Sequence, residues 1–292
     1  MKTWMLAACA AISLLAPHAD ARAIPLPPAA IFTDPPADAV HPARMEVLHI
    51  PTGGVAVNGI AYLAAGAGAH PTVVLFHGLP GNEKNLDLAQ AIRRAGWNVV
   101  TMNYRGSWGS PGTYSFRGNL ADAKATLAYV RANAATLGVD THKLVVIGHS
   151  MGGWVTAVTG GSDPDLAGAV LISAADLGLM AGLPEAQRLK TASDNMESLA
   201  GVTPQSMAAE MATLGDASFA AAAPGLAKKP LLVLTSDDGL AGMADALVAK
   251  VKARGGKVVS FHAATDHGWN SARIRLETEV VTWLSVLPGA PN

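Results

Sequence analysis

The chain contains a single cysteine, Cys9, and none after it. That absence excludes disulfides, thiolate metal sites and a cysteine nucleophile from everything beyond the first residues, so the fold has to stand on packing alone. Charge is scarce too. Charged residues make up 15% of the chain, the formal net charge is -1 and no run of like sign occurs. There is thus no basic face to suit nucleic acid or an anionic membrane surface. No H-E-x-x-H string is present and the histidines are scattered, so no metal and no other cofactor is expected. The amino-terminal apolar run, Trp4 to Ala16, is about 13 residues long, short of the ~20 that a membrane-spanning helix requires. No internal repeat is visible.

What is present begins as a targeting segment. Lys2 gives a positive start, the apolar run follows, and Ala19-Asp20-Ala21 and Ala21-Arg22-Ala23 both fit an A-x-A cleavage pattern. Residues 1–23 therefore read as a signal peptide, and the protein as exported, periplasmic or secreted. The string "LAAC" at 6–9 resembles a lipoprotein box, but the apolar run continues beyond Cys9, which favours ordinary cleavage after Ala21 or Ala23. Residues 24–43 hold six prolines and no apolar period, the mark of an extended lead-in. Residues 44–292 form one large domain; half of all residues are hydrophobic, enough to bury a substantial core.

From Met45 the pattern is β-like: "MEVLHI", a Gly53-Gly54 turn, then "VAVNGIAYL", an antiparallel pair at a sheet edge. After Pro71, apolar runs at 72–76, 97–102, 143–148, 166–173, 230–235 and 257–262 alternate with helical stretches at 85–95, 119–136, 151–160, 241–253 and 271–287. Continuous apolar strands separated by helices predict an α/β fold, a mostly parallel, doubly wound sheet of about eight strands covered on both faces. Residues 176–228 break the alternation. Their Ala- and Met-rich, helix-prone composition suits a small helical lid over the carboxyl edge of the sheet, or an ordinary packed connection.

The candidate chemistry centres on "VVIGHSMGGW" at 145–154. Ser150 stands between a strand and a helix, with Gly148 and Gly152 on either side, the pattern of a serine lifted above the sheet on a tight turn. A serine needs a base. His267, between the last strand and the last helix, has the loop position to reach it, whereas His149 and His262 read as structural. The base needs an acid. Asp237 and Asp238 close "LVLTSDD"; Gly239 favours Asp238, Asp237 is the alternative and Asp176 a third candidate. For an oxyanion, the loop "FHGLPGNEKN" supplies the N–H of Leu79, and the residue after the serine supplies that of Met151; His77 would organise that loop.

The order "FHGLPG", "NYRGSWGSPG", "GHSMGG", "LTSDDG", "TDHGW" resembles the α/β-hydrolase superfamily from about residue 45 onward, in particular its prolyl-oligopeptidase-like and dienelactone-hydrolase-like branches. The resemblance implies a serine nucleophile, an acid after the strand near 235 and a histidine after the last strand, which fall on Ser150, Asp238 and His267. Many relatives carry H-G-x-x-D at the acid loop where this chain has Thr235-Ser236-Asp237-Asp238, and no propeller is expected before the domain.

The resulting expectation is an exported serine hydrolase acting on a small carboxylic ester through an acyl-enzyme. A peptidase acting on short peptides, or an acyltransferase, would use the same residues, and a non-catalytic binding module would use only the fold. Leu177, Leu179, Met180, Leu183, Met207 and Met211 suit an acyl chain or hydrophobic alcohol, or simply a core. Oligomeric state is not legible.

Overall fold

The computed structural model describes residues 26–291. The expected signal peptide and Cys9 lie outside the described residues.

The predicted hairpin is present: β1 (Arg44–Thr52) pairs antiparallel with β2 (Val55–Leu63) across the Gly53-Gly54 turn. Then follow β3 (His70–Phe76), α1 (Leu86–Arg94), β4 (Asn98–Met102), α2 (Phe116–Ala132), α3 (Ala134–Leu137), β5 (Val139–His149), α4 (Met151–Ser162) and β6 (Gly168–Ile172). The insertion carries α5 (Glu185–Ser193), α6 (Pro204–Met211) and α7 (Phe219–Leu226). The chain then returns through β7 (Leu231–Ser236), α8 (Ala241–Lys252), β8 (Val258–Ala263) and α9 (Arg273–Ser285). The helix expected over 119–136 starts earlier, because Ser115 Oγ caps it by accepting the N–H of Gly118 at 2.8 Å.

The sheet has the order β1-β2-β4-β3-β5-β6-β7-β8, and β2 meets β4 antiparallel while β3 to β8 run parallel. From β3 the chain crosses through α1 to β4 on one side; from β5 it crosses through α4 to β6 on the other. At such a reversal the connections part, and a crevice opens at the carboxyl ends of the two central strands. Alternate residues serve opposite cores. Val74, Val146, Leu171 and Val233 pack with helices α2, α4, α7 and α8, while Val73, Val145, Val170 and Leu232 pack with α1 and α9. Burying each such side chain stabilises by about 1.5–3 kcal/mol, which is how a cysteine-free domain of this length stands.

The lead-in is pinned rather than free along its described part. It makes a 3-10 turn at Ala29–Ile31, Ile31 enters the core beside α1 and α9, and Arg94 Nη2 donates to the Ile31 carbonyl at 3.0 Å. The insertion divides into two parts. Met207, Met211 and Phe219 are buried core residues, and Trp154 Nε1 on α4 donates to Ala217 O. Residues 198–200 instead lie on the loop after β4: Trp108 N donates to Ser198 O at 3.2 Å and Ala200 N to Gly106 O at 2.8 Å. Among the described residues no helix is long and apolar enough to cross a membrane.

Candidate active site

Ser150 follows β5 and precedes α4, with φ 58° and ψ −122°. A left-handed serine costs on the order of 1–3 kcal/mol and persists only where its surroundings impose it. Here the imposition is steric. A β-carbon at position 152 would fall 2.1 Å from Phe76 O, so only glycine lets α4 begin against the end of β3. The serine is thereby held at the crevice, its N–H donating to Ile172 O at 3.0 Å and its carbonyl accepting from Ala175 at 3.1 Å.

The loop after β3 passes directly over it. A β-carbon on Gly78 would lie 2.9 Å from Ser150 Cβ and 3.4 Å from Ser150 Oγ, so glycine is needed for that approach. Leu79 is the next residue along this loop. Met151 opens α4, where the first N–H groups of a helix have no acceptor within it. The two residues expected to supply oxyanion donors thus follow directly on Gly78 and on Ser150, which approach each other closely. His77, fully enclosed under this loop, bonds its neighbour's carbonyl through Nδ1 at 2.8 Å (Gly78 O), and burial pushes its pKa down to about 4.

The two adjacent aspartates go to different histidines. Asp238 Oδ2 is 2.7 Å from His267 Nδ1, and its side chain is only 4% exposed. Asp237, 62% exposed, instead bonds His262 Nε2 at 3.0 Å, while His262 Nδ1 meets Thr235 Oγ1 at 2.9 Å. Burial raises the Asp238 pKa, yet hydrogen bonds from His267 and the Leu240 N–H, with the charge of His267, outweigh it and hold the carboxyl below its ordinary value. A carboxylate only accepts, so His267 Nδ1 carries a proton, and in the neutral imidazole this leaves the lone pair on Nε2. Among the described residues no hydrogen bond joins Ser150 Oγ to His267. What ties the two together is His149, the residue before the serine, whose Nε2 lies 2.8 Å from the His267 carbonyl. The third acid candidate, Asp176, caps a turn instead, accepting from Gly178 N and Phe219 N.

Several contributors are not visible as a motif. Arg273 holds the loop after His267 to the start of α1, donating to Gly268 O at 3.0 Å and to Asp87 Oδ2 at 2.8 Å. Pro80 O accepts from both Trp108 Nε1 (2.6 Å) and Ser198 Oγ (3.1 Å), which stitches the loop after β3 to the insertion. Trp108 could have been singled out within "NYRGSWGS"; Arg273 and Ser198 carry no local signal.

Comparison with known proteins gives the fold. A family model described as BD-FAE matches residues 60–171. A curated relative, an uncharacterized protein of Mycobacterium tuberculosis, is 29% identical over 119 residues, which is 40% of this chain and 41% of that protein. The match thus spans well under half of the relative's length. Among solved structures, the thermostable carboxylesterase EstE1 from a metagenomic library aligns with a TM-score of 0.61 and 24% identity over 82% of this chain and 89% of that one. The Pyrococcus horikoshii acylaminoacyl peptidase aligns with a TM-score of 0.66 and 16% identity over 86% of this chain and 43% of that one. The protein has the α/β-hydrolase fold, and among the described residues there is one eight-stranded sheet and no propeller. The solved structures that share this fold include esterases and an acylaminoacyl peptidase.

Proposed function

We propose that the protein is an exported serine hydrolase that cleaves a small carboxylic ester through an acyl-enzyme. The observation that carries this reading is the 2.7 Å His267–Asp238 contact, held by the His149 tether beside a serine in the strained turn conformation. Ser150 Oγ attacks the ester carbonyl and gives its proton to His267 Nε2. The new imidazolium is stabilised by Asp238, and the N–H groups of Leu79 and Met151 take the oxyanion, each such donor being worth about 3–4 kcal/mol in transition-state stabilisation. Collapse expels the alcohol, which receives the proton from His267. Water then repeats the sequence on the acyl-enzyme and restores Ser150.

Amide cleavage is the second reading, favoured by the likeness to an acylaminoacyl peptidase. Two measurements test the pair. A fluorophosphonate probe is expected to label the wild type and not Ser150→Ala; persistent labelling of the variant sinks the assignment. Turnover of p-nitrophenyl esters against aminoacyl anilides then ranks ester over amide, and the reverse order sinks the ester reading. Export is checked by amino-terminal sequencing of the mature chain, expected to begin at residue 22 or 24.

A further inference from the structure

The first three positions of α4 are Met151, Gly152 and Gly153, so Met151 carries the only side chain in that stretch. Its sulfur is held by two donors. Tyr114 Oη donates to Met151 Sδ at 3.1 Å. Asn119 Nδ2 donates to the same sulfur at 3.3 Å and to Tyr114 Oη at 3.1 Å. Tyr114, Asn119 and Met151 are all buried. Tyr114 lies on the loop before α2 and Asn119 within that helix. Tyr114 is itself fixed: its main-chain N–H donates to Ala200 O at 3.0 Å, and its ring meets that of Phe116 edge-on, 5.4 Å between centroids.

A core does not need this arrangement. A thioether chain is flexible and its sulfur accepts only weakly, so methionine ordinarily fills space without being held. Tyr114 has a single hydroxyl proton. Given to the sulfur, it leaves the phenol oxygen to accept from Asn119, and burial pushes the Tyr114 pKa up, so that proton stays in place. Asn119 turns its amide hydrogens to this pair and leaves Oδ1 buried without a partner among the described residues. An apolar residue at 119 would avoid that cost. The place that gains from the fixing is the start of α4. Gly152 and Gly153 bring wide conformational freedom and no side chain to anchor it. Among the described residues no hydrogen bond uses the N–H of Met151.

We propose that Tyr114 and Asn119 are positioning residues that hold Met151 by its sulfur and so aim its N–H at the oxyanion. This rests on the reading of Ser150 as nucleophile and of the Met151 N–H as an oxyanion donor. Side chain and N–H share one α-carbon, so a fixed sulfur restricts the turning of the residue where the next two positions offer no hold. Through Ala200, which binds the main chain of Tyr114, the insertion joins the same set of contacts.

The test compares full-length wild type, Tyr114→Phe, Asn119→Leu, Met151→Leu and the double variant Tyr114→Phe with Met151→Leu on p-nitrophenyl acetate. Each is also titrated with an alkyl trifluoromethyl ketone. Its carbonyl carbon bonds to Ser150 Oγ, the serine proton passes to His267, and the carbonyl oxygen becomes the oxyanion. Tyr114→Phe is expected to lower kcat about fivefold with KM little changed, and to raise the Ki of the ketone by a similar factor, on the scale of one hydrogen bond. Met151→Leu keeps the bulk, loses the sulfur and shows a loss of the same size; Tyr114→Phe then adds little to it, since the two changes remove one interaction. A merely structural role would lower Tm and leave kcat and Ki of the folded enzyme in place. Unchanged kcat and Ki in folded Tyr114→Phe overturn the proposal. So does a loss that repeats in full on top of Met151→Leu, or a fall in kcat with Ki unmoved. Where Tyr114→Phe does not fold, an unchanged Ki in Asn119→Leu overturns it. Wild type that is not labelled by fluorophosphonate at Ser150 overturns the underlying reading itself, a result distinct from the others.

Discussion

His149 Nε2 lies 2.8 Å from the main-chain oxygen of His267, and the two imidazole rings stand 4.6 Å apart between centroids. A carbonyl only accepts, so Nε2 carries the proton, and Nδ1 is buried without a partner among the described residues. Burial, then the charge of His267, pushes the His149 pKa down to about 4. The residue beside Ser150 is therefore a neutral tether and does not compete with His267 as a base. His149→Ala is expected to lower kcat about tenfold while KM changes little, and His149→Gln, which keeps a donor, to recover part of it. Steady-state kinetics on one ester decides; wild-type kcat in the alanine variant removes the tether from the account.

The neighbouring aspartates give a sharper contrast. Only Asp238 meets His267, and Asp237 serves His262 near the surface. Asp238→Asn is expected to lower kcat by about 10^4-fold, the scale at which a wrong imidazole tautomer disables such a site. Asp237→Asn leaves kcat near wild type. Equal losses in the two variants would contradict the division of roles drawn from the geometry.

The strands, the serine turn and the histidine loop were legible because each is written locally: apolar runs of strand length, a glycine on either side of Ser150, a histidine between the last strand and helix. The acid was not fully legible. Asp237 and Asp238 are adjacent and chemically equal, and only the packing of β8 beside β7, which brings His262 to Asp237, separates them. Met207 and Met211 illustrate a second limit. Helical spacing fits a core or a ligand wall equally, and tertiary packing puts both in the core. The contacts of Arg273 with Asp87 and of Trp269 with Ser173 join residues far apart in the chain, so no window of sequence contains them.

Acid stability follows from two buried histidines. His77 and His149 both have pKa values of about 4, set first by burial. In the unfolded chain an imidazole titrates near ~6.5. Between those values the unfolded state binds protons that the native state refuses, so stability falls as pH drops through the window from ~6.5 to ~4 and is untouched by these groups above it. Each histidine contributes a loss of roughly 3 kcal/mol once pH reaches the lower bound. Thermal melts at pH 7.5 and 4.5 are expected to show a large decrease in Tm, and His77→Gln to show a smaller one. An undiminished decrease in that variant would assign the acid sensitivity elsewhere.

Substitution at Gly152 tests the packing that builds the serine turn. A β-carbon there would lie 2.1 Å from Phe76 O, a main-chain atom that cannot swing aside. Gly152→Ala is expected to destabilise by about 1–3 kcal/mol or more, the usual cost of overpacking. It should also displace Ser150, so that fluorophosphonate labelling slows even in the fraction that folds. Urea denaturation and labelling rate measure the two effects, and a variant with wild-type values in both would show that the close approach is not needed.

The loop bearing Trp108 depends on a charge pair beneath it. Asp122, with its side chain fully enclosed, accepts from Arg105 N (2.9 Å), Nε (2.8 Å) and Nη2 (2.6 Å) and from Thr52 Oγ1 (2.8 Å). These bonds join β1, α2 and the segment that leads to Trp108 and so to Pro80 beside Leu79. Removing one partner leaves a buried charge without compensation and costs about 3–5 kcal/mol, whereas replacing both by apolar groups of similar volume is often close to neutral. Asp122→Ala is therefore expected to lose stability in that range, and Arg105→Met with Asp122→Leu to lose much less. In the double variant the ester activity should still fall, because the packing is restored but the hydrogen bonds that aim the loop are not. Urea melts set beside kcat/KM separate the two effects. A double variant as unstable as the single one would mean that the stability resides in the hydrogen bonds and not in the pairing of the charges.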